Sequence, residues 1–221
     1  MRNEGDAATG TWPKFKGYDG HFVTPYLAVG ACPGPEHVPE IVAAGIRGIF
    51  SVVAGAGRNA FTYVACLPDT VQWYHCGFWD GYFGPPEPGA NQVLCPSYAR
   101  LVVIQASEML RDHAPVLLHC MGGSGRSGNV AAILVAAREG IPIDEASARM
   151  QMHRPVIARF FREGFWKHTP DEELVGLSRT VLAESADSAT RATRCARIRG
   201  CADATGPSFE RLVTNADPKA L

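Results

Sequence analysis

The segment with the densest chemical content is Val116-Leu-Leu-His-Cys-Met-Gly-Gly-Ser-Gly-Arg-Ser-Gly128. An apolar run leads into His119-Cys120, three of the next five residues are glycine, and Arg126-Ser127 follow. A tight glycine loop running into a helix start turns consecutive backbone N–H groups toward one point, which makes an anion cradle. Gly122, Gly123 and Gly125 permit the backbone angles and the close approach such a cradle needs. Arg126 adds a planar two-pronged donor that fits two phosphate oxygens. The same positive field favours the thiolate of Cys120, and a thiolate inside an oxyanion cradle is a nucleophile aimed at phosphorus. The expected phosphate-binding set is Met121, Gly122, Gly123, Ser124, Gly125 and Arg126. Ser127 can donate to the sulfur and assist its departure.

Two other anion loops fit less well. A Walker-type nucleotide loop needs glycine where Cys120 stands and lysine where Arg126 stands. A dinucleotide fingerprint is nominally present at Gly123, Gly125 and Gly128, but it lies in mid-chain and only Asp144 or Glu145 stands near its acidic position. An inert cysteine in a glycine-rich turn leaves the joint register of His, Cys, Arg and Ser unexplained.

The run His119-Cys120-x-x-Gly123-x-x-Arg126-Ser127-Gly128 resembles the signature loop of the cysteine-dependent protein tyrosine and dual-specificity phosphatases. The resemblance spans roughly residues 22–170. Tyr26-Leu27 through Val53, with Gly45-Ile46 before a strand, is similar to the opening of the compact dual-specificity group, and Arg154-Pro155 matches an Arg-Pro frequent there. It implies a phosphocysteine intermediate and no metal or organic cofactor. It also implies a general acid, because an expelled alkoxide or phenolate must be protonated. The family carries an Asp on a mobile loop before the Cys. Asp80 is the best match, since it ends the aromatic run Gln72 to Trp79 and has Pro85 just downstream. Asp69, in Leu67-Pro68-Asp69, is the rival. His119 is expected to brace the loop by hydrogen bonding. Cys76 could trap an oxidised Cys120 as a disulfide, although an ordinary strand cysteine is the stronger reading. Arg58, Arg154 and Arg159 could line a cleft or sit on a solvated face.

These residues need a scaffold. Phe22 to Val29 reads as an opening strand, Glu36 to Ala44 as a short helix stopped by Gly45, and Gly48 to Val53 as a buried strand. Phe61 to Leu67 is ambiguous. Val71 to Trp79 reads as a strand, and Asp80 to Pro96 as a long loop rich in proline and glycine. Ser97 to His113 is helical, Pro115 to Leu118 a strand, and Ser127 to Arg138 an Ala-rich helix ending near Gly140. Helices follow over 145–152 and within 156–183, with a break near Thr169-Pro170. Alternating strands and helices give an α/β class with a largely parallel sheet. The resemblance sharpens this to a phosphatase cradle, a mixed, mainly parallel sheet of four or five strands flanked by helices.

The chain of 221 residues, 46% apolar and 19% charged, has an ordinary globular composition. A formal net charge of −1 excludes a global basic field for nucleic acid or anionic membrane. Residues 1–21 read as a flexible leader without an apolar signal region, 22–183 as the catalytic unit, and 184–221 as a polar tail. Arg191, Arg194 and Arg197 would share a face if that tail were helical, but acidic neighbours offset them and a solvated tail is the stronger reading. The expected compartment is the cytoplasm, where the seven cysteines stay thiols and lack the CxxC pairs of structural zinc. The expected partner is a phosphorylated protein, with neither nucleic acid nor membrane. A non-protein phosphomonoester (phosphoinositide, nucleic-acid 5′ end or small metabolite) or a catalytically silent phosphate-binding module are the alternatives.

Overall fold

The computed structural model describes residues 13–53, 58–77, 96–153 and 171–184. Five strands form one sheet in the order β1-β2-β5-β3-β4, where β1 is Gly20–Thr24, β2 Leu27–Gly30, β3 Gly48–Ser51, β4 Gln72–His75 and β5 Val116–His119. The β1–β2 pair is antiparallel; β2, β5, β3 and β4 run parallel. The mixed, mainly parallel α/β sheet is therefore present. The opening strand differs from expectation. Phe22 to Val29 is a hairpin rather than one strand, because Pro25 and Tyr26 form a turn between β1 and β2.

The helices are α1 (Val38–Ala43), α2 (Pro96–His113), α3 (Gly125–Glu139), α4 (Ile143–His153) and α5 (Asp171–Ala183). Arg58–Cys66, ambiguous in sequence, is a 3-10 segment. Helix α1 stops as its glycine predicts. Gly45 takes φ +84°, its N–H bonds the carbonyl of Val42, and the Ile46 N–H bonds that of Ile41. This is the paired C-terminal closure in which a left-handed glycine lets the chain turn back.

Two cores flank the sheet. On one face, Leu27, Phe50, Val116 and Leu118 pack with α2, α3 and α5 residues such as Val102, Leu110, Ile133 and Leu174. On the other, Phe22, Ala28, Ile49 and Leu117 pack with Ile41 of α1 and Tyr63 of the 3-10 segment. Strands β3 and β5 are buried throughout, as central parallel strands covered on both sides must be. The leader does not extend to residue 21. Lys14 bridges to His21, Phe15 packs on the second core, and Tyr18 is buried within it. Two aromatic side chains supply enough apolar area to hold that stretch on the sheet. Among the described residues, no helix is long and apolar enough to cross a membrane.

Candidate active site

The four parallel strands end at a common edge, where Gly30, His119, Ser51 and His75 stand in register across β2, β5, β3 and β4. The segment 120–124 leaves central β5 at that edge and enters α3. This is the crevice beyond the carboxyl ends of parallel strands, where open α/β sheets bind ligands. Strand alternation separates the two signature neighbours. Leu117 and His119 face the α1 side, whereas Leu118 and Cys120 face α3.

Cys120 is only 3% exposed, and its sulfur accepts two hydrogen bonds, from the Gly123 N–H at 3.2 Å and the Ser127 hydroxyl at 3.3 Å. The loop around it is held from β2. Cys32 N–H donates to the Met121 carbonyl at 3.1 Å, and Gly123 lies directly over Gly30 and Ala31. A Cβ at Gly123 would stand 2.3 Å from the Gly30 carbonyl carbon, and φ there is +69°. Only glycine satisfies both conditions. The expectation that Gly122 and Gly125 also serve unusual backbone angles is not met: neither has positive φ, and open space surrounds the Cβ position of Gly122. Gly125 already belongs to α3. The first helical bond runs from the Gly128 N–H to the Ser124 carbonyl at 3.0 Å. The amides of the first turn therefore have no intrahelical acceptor and sit beside the sulfur, where the helix dipole adds positive potential. Met121 is 50% exposed at the loop's outer surface.

Arg126 is 6% exposed and directs Nη1 to the Val52 carbonyl at 3.5 Å. Val52 in turn gives its N–H to the His119 carbonyl at 2.9 Å, so the exit of β3 joins the arginine to the strand that delivers the cysteine. His119 is fully buried, with Nε2 2.7 Å from the Tyr63 hydroxyl. Burial pushes its pKa down to about 3; the Cys120 backbone acts in the opposite sense, while His75 and Arg126 push the same way as burial. The ring is neutral at physiological pH and suits a bracing role. Trp73 Nε1–H donates to the same Tyr63 hydroxyl at 2.8 Å.

The same overall fold recurs in solved structures. TpbA from P. aeruginosa superposes with a TM-score of 0.52 at 17% identity, over 76% of this chain and 92% of TpbA. TpbA in complex with phosphotyrosine gives 0.53 at 16%, over the same shares. A mouse protein assigned to the dual-specificity phosphatases, complexed with zinc tungstate, gives 0.51 at 19%, over 78% and 94%. The chain has the dual-specificity-phosphatase fold. No family model and no curated protein matches the sequence.

Within the dual-specificity-phosphatase fold, one of the two acid candidates can be placed. Asp69 is exposed in a turn three residues before β4, at the end of the sheet opposite the loop. Four strand residues at ~3.3 Å each put roughly 13 Å or more between it and the cysteine edge. Asp80 lies outside the described residues, as do Arg154, Arg159 and the tail arginines. Only the backbone of Arg58 is described. Cys76 lies just past β4, buried in the same core as Cys120, and its N–H donates to the Ser51 carbonyl at 2.9 Å.

Sequence reasoning singled out neither Tyr63 nor Trp73 as site residues. Nothing local marks them, because the chain of bonds from Trp73 through Tyr63 to His119 is made across three separate elements. The one available signal was the tryptophan-rich strand, read only as a strand.

Proposed function

We propose that this chain is a cysteine-dependent phosphoric monoester hydrolase acting on phosphotyrosine in proteins, and on phosphoserine or phosphothreonine where they reach the loop. The single observation that carries the reading is the Cys120 sulfur receiving the Gly123 amide and the Ser127 hydroxyl at the N-terminus of α3. Those donors stabilise negative charge on sulfur, first as the attacking thiolate and later as the leaving thiolate.

In the first step, Cys120 Sγ attacks phosphorus in line with the ester oxygen. The P–S bond forms, the P–O bond breaks, and Asp80 gives its proton to the departing oxygen. Arg126 and the loop amides from Met121 to Gly125 hold the three non-bridging oxygens. In the second step, Asp80 takes a proton from water. The resulting hydroxide attacks phosphorus, and the sulfur leaves toward the Ser127 hydroxyl. His119 stays neutral throughout and braces the loop. No step requires a metal or an organic cofactor.

Two observations favour a protein substrate. Positions 121–125 contain no Lys or Arg, so the loop floor lacks the extra cations suited to polyanionic headgroups or RNA ends. A structural neighbour of the same fold has been solved with phosphotyrosine. A reducing, cytoplasmic setting fits a nucleophile that must stay a thiol.

The decisive experiment is p-nitrophenyl phosphate hydrolysis by the full chain, with and without vanadate and EDTA. Turnover that vanadate blocks, EDTA spares and Cys120→Ser abolishes supports the reading. Activity surviving Cys120→Ser sinks it. A panel of phosphopeptides, phosphoinositides and 5′-phosphorylated oligonucleotides then ranks the substrates, and preference for either of the latter two classes replaces the protein substrate.

A further inference from the structure

We propose that Trp73 and Tyr63 form a positioning relay that fixes the tautomer of His119 and, through that ring, aims the Cys120 peptide that opens the phosphate loop. The kinetic part of this proposal rests on the phosphatase reading; the tautomer part does not.

An indole N–H can only donate, so the Trp73–Tyr63 bond of 2.8 Å consumes a lone pair of the hydroxyl. The hydroxyl keeps one proton, and its other close partner is His119 Nε2 at 2.7 Å. If Nε2 carried hydrogen, two donors would face Tyr63 and its own proton would have no acceptor. Tyr63 is fully buried, which makes an unsatisfied hydroxyl costly. The consistent arrangement is Trp73 N–H to Tyr63 O, and Tyr63 O–H to His119 Nε2. The proton of the neutral imidazole is then on Nδ1. That nitrogen is buried without a hydrogen-bond partner among the described residues, so the tautomer is decided at Nε2. The ring is carried by the residue whose peptide leads directly into Cys120, so holding the ring through Nε2 holds the backbone at the point where the loop begins.

The relay is built from rigid parts. Trp73 stacks parallel to His75, two residues along the same face of β4, with ring centres 6.1 Å apart. Phe61 meets both edge-on, at 5.6 Å from Trp73 and 4.8 Å from His75. Tyr63 meets His119 nearly perpendicular, at 5.5 Å and 80°. The tryptophan N–H thus has a fixed direction before it reaches the hydroxyl. Strand β4 lies at the sheet edge, separated from β5 by β3. Through Tyr63 it acquires a polar connection to the central strand that the backbone ladder does not supply. The consequence falls on kcat. Rotation of the Cys120 peptide would move the sulfur relative to donors at 3.2 and 3.3 Å, and transition-state geometry is far more sensitive to such errors than ground-state binding is.

The test uses the full chain and the variants Trp73→Phe and Tyr63→Phe, which keep an aromatic ring and remove one polar group each. Long-range 1H–15N correlation spectra of the histidine rings report the tautomer directly, and Cys120→Ser assigns any ring that senses the loop. In the wild type, His119 should show a bare Nε2 and a protonated Nδ1. In Trp73→Phe the freed hydroxyl can turn, and the His119 nitrogens should move toward a mixed tautomer. Turnover of p-nitrophenyl phosphate should fall about 3- to 10-fold with KM changed less than about twofold, and Tyr63→Phe should fall at least as far. If Trp73→Phe fails to fold, Tyr63→Phe carries the same measurements. A wild-type His119 protonated on Nε2 overturns the proposal. So does a folded Trp73→Phe with wild-type tautomer signals and wild-type kcat. If the wild type hydrolyses nothing, the phosphatase reading fails, and the relay stands or falls on the ring signals.

Discussion

Replacing Gly123 by alanine should separate the two reasons that a glycine stands there. The first is conformational. At φ +69° an L-residue pays about 1–2 kcal/mol. The second is steric. The new Cβ would lie 2.3 Å from the Gly30 carbonyl carbon, 2.4 Å from the Ala31 nitrogen and 2.7 Å from the Gly30 oxygen. All three are backbone atoms of β2 and its exit, so no side chain can swing away. The loop must lift by about 1 Å to restore ordinary contact, and a misplacement of that size costs roughly 10²-fold in turnover. Overpacking adds about 1–3 kcal/mol, so total destabilisation should be roughly 2–5 kcal/mol. Lifting the loop also withdraws the Gly123 N–H from the sulfur it now meets at 3.2 Å. Gly140 provides the comparison. It has the same φ of +69°, sits at the end of α3, and has nothing within 4 Å of its Cβ position. Gly140→Ala should therefore lose only the conformational part, about 1–2 kcal/mol, with kcat unchanged. Urea unfolding gives both stabilities, and p-nitrophenyl phosphate gives both rates. If Gly123→Ala is no less stable than Gly140→Ala and keeps kcat within about threefold, packing on β2 does not hold the loop.

Other outcomes follow from the same geometry. Stability should fall with acid: burial holds His119 down to about 3 and His75 to about 4, whereas the unfolded rings titrate near ~6.5. The unfolded chain alone takes up protons as the pH drops below ~6.5, so stability is flat above that value and declines toward pH 4 and 3, with His119 contributing about 2 kcal/mol of loss by pH 5. Urea unfolding at pH 7.5 and 5 checks this, and a His119→Gln variant with the full wild-type slope would refute it. Ser127→Ala removes the hydroxyl 3.3 Å from the sulfur and should slow release of the phosphocysteine about 10-fold, visible as a burst of p-nitrophenol before the steady state. Asp80→Asn should lower turnover of a phosphotyrosine peptide by about 10²-fold or more, while Asp69→Asn, at the far end of β4, should leave it unchanged; the reverse pattern would exchange their roles.

Much of the loop was legible in the chain. Local chemistry requires the strand, the glycines, the arginine and the helix start to be contiguous, so one stretch of sequence records the proposed nucleophile and most of its proposed phosphate ligands. The same holds for the stop at Gly45 and the ends of α3, which depend on neighbours within one turn. Alternation along β5 already implies that His119 and Cys120 face opposite sides of the sheet. Three matters needed the tertiary structure. Pro25 divides the first strand only because Gly20–Thr24 finds a partner in Leu27–Gly30. Gly123, rather than Gly122 or Gly125, is the strained glycine because β2 passes beneath it, and that contact joins residues more than 90 positions apart. Tyr63 and Trp73 reach His119 only after β4 and the 3-10 segment are folded onto the sheet. Contacts within a few residues leave a pattern in the sequence, because backbone geometry forces their spacing. Contacts closed across loops obey no such spacing, and only the fold reveals which buried polar groups they bring together.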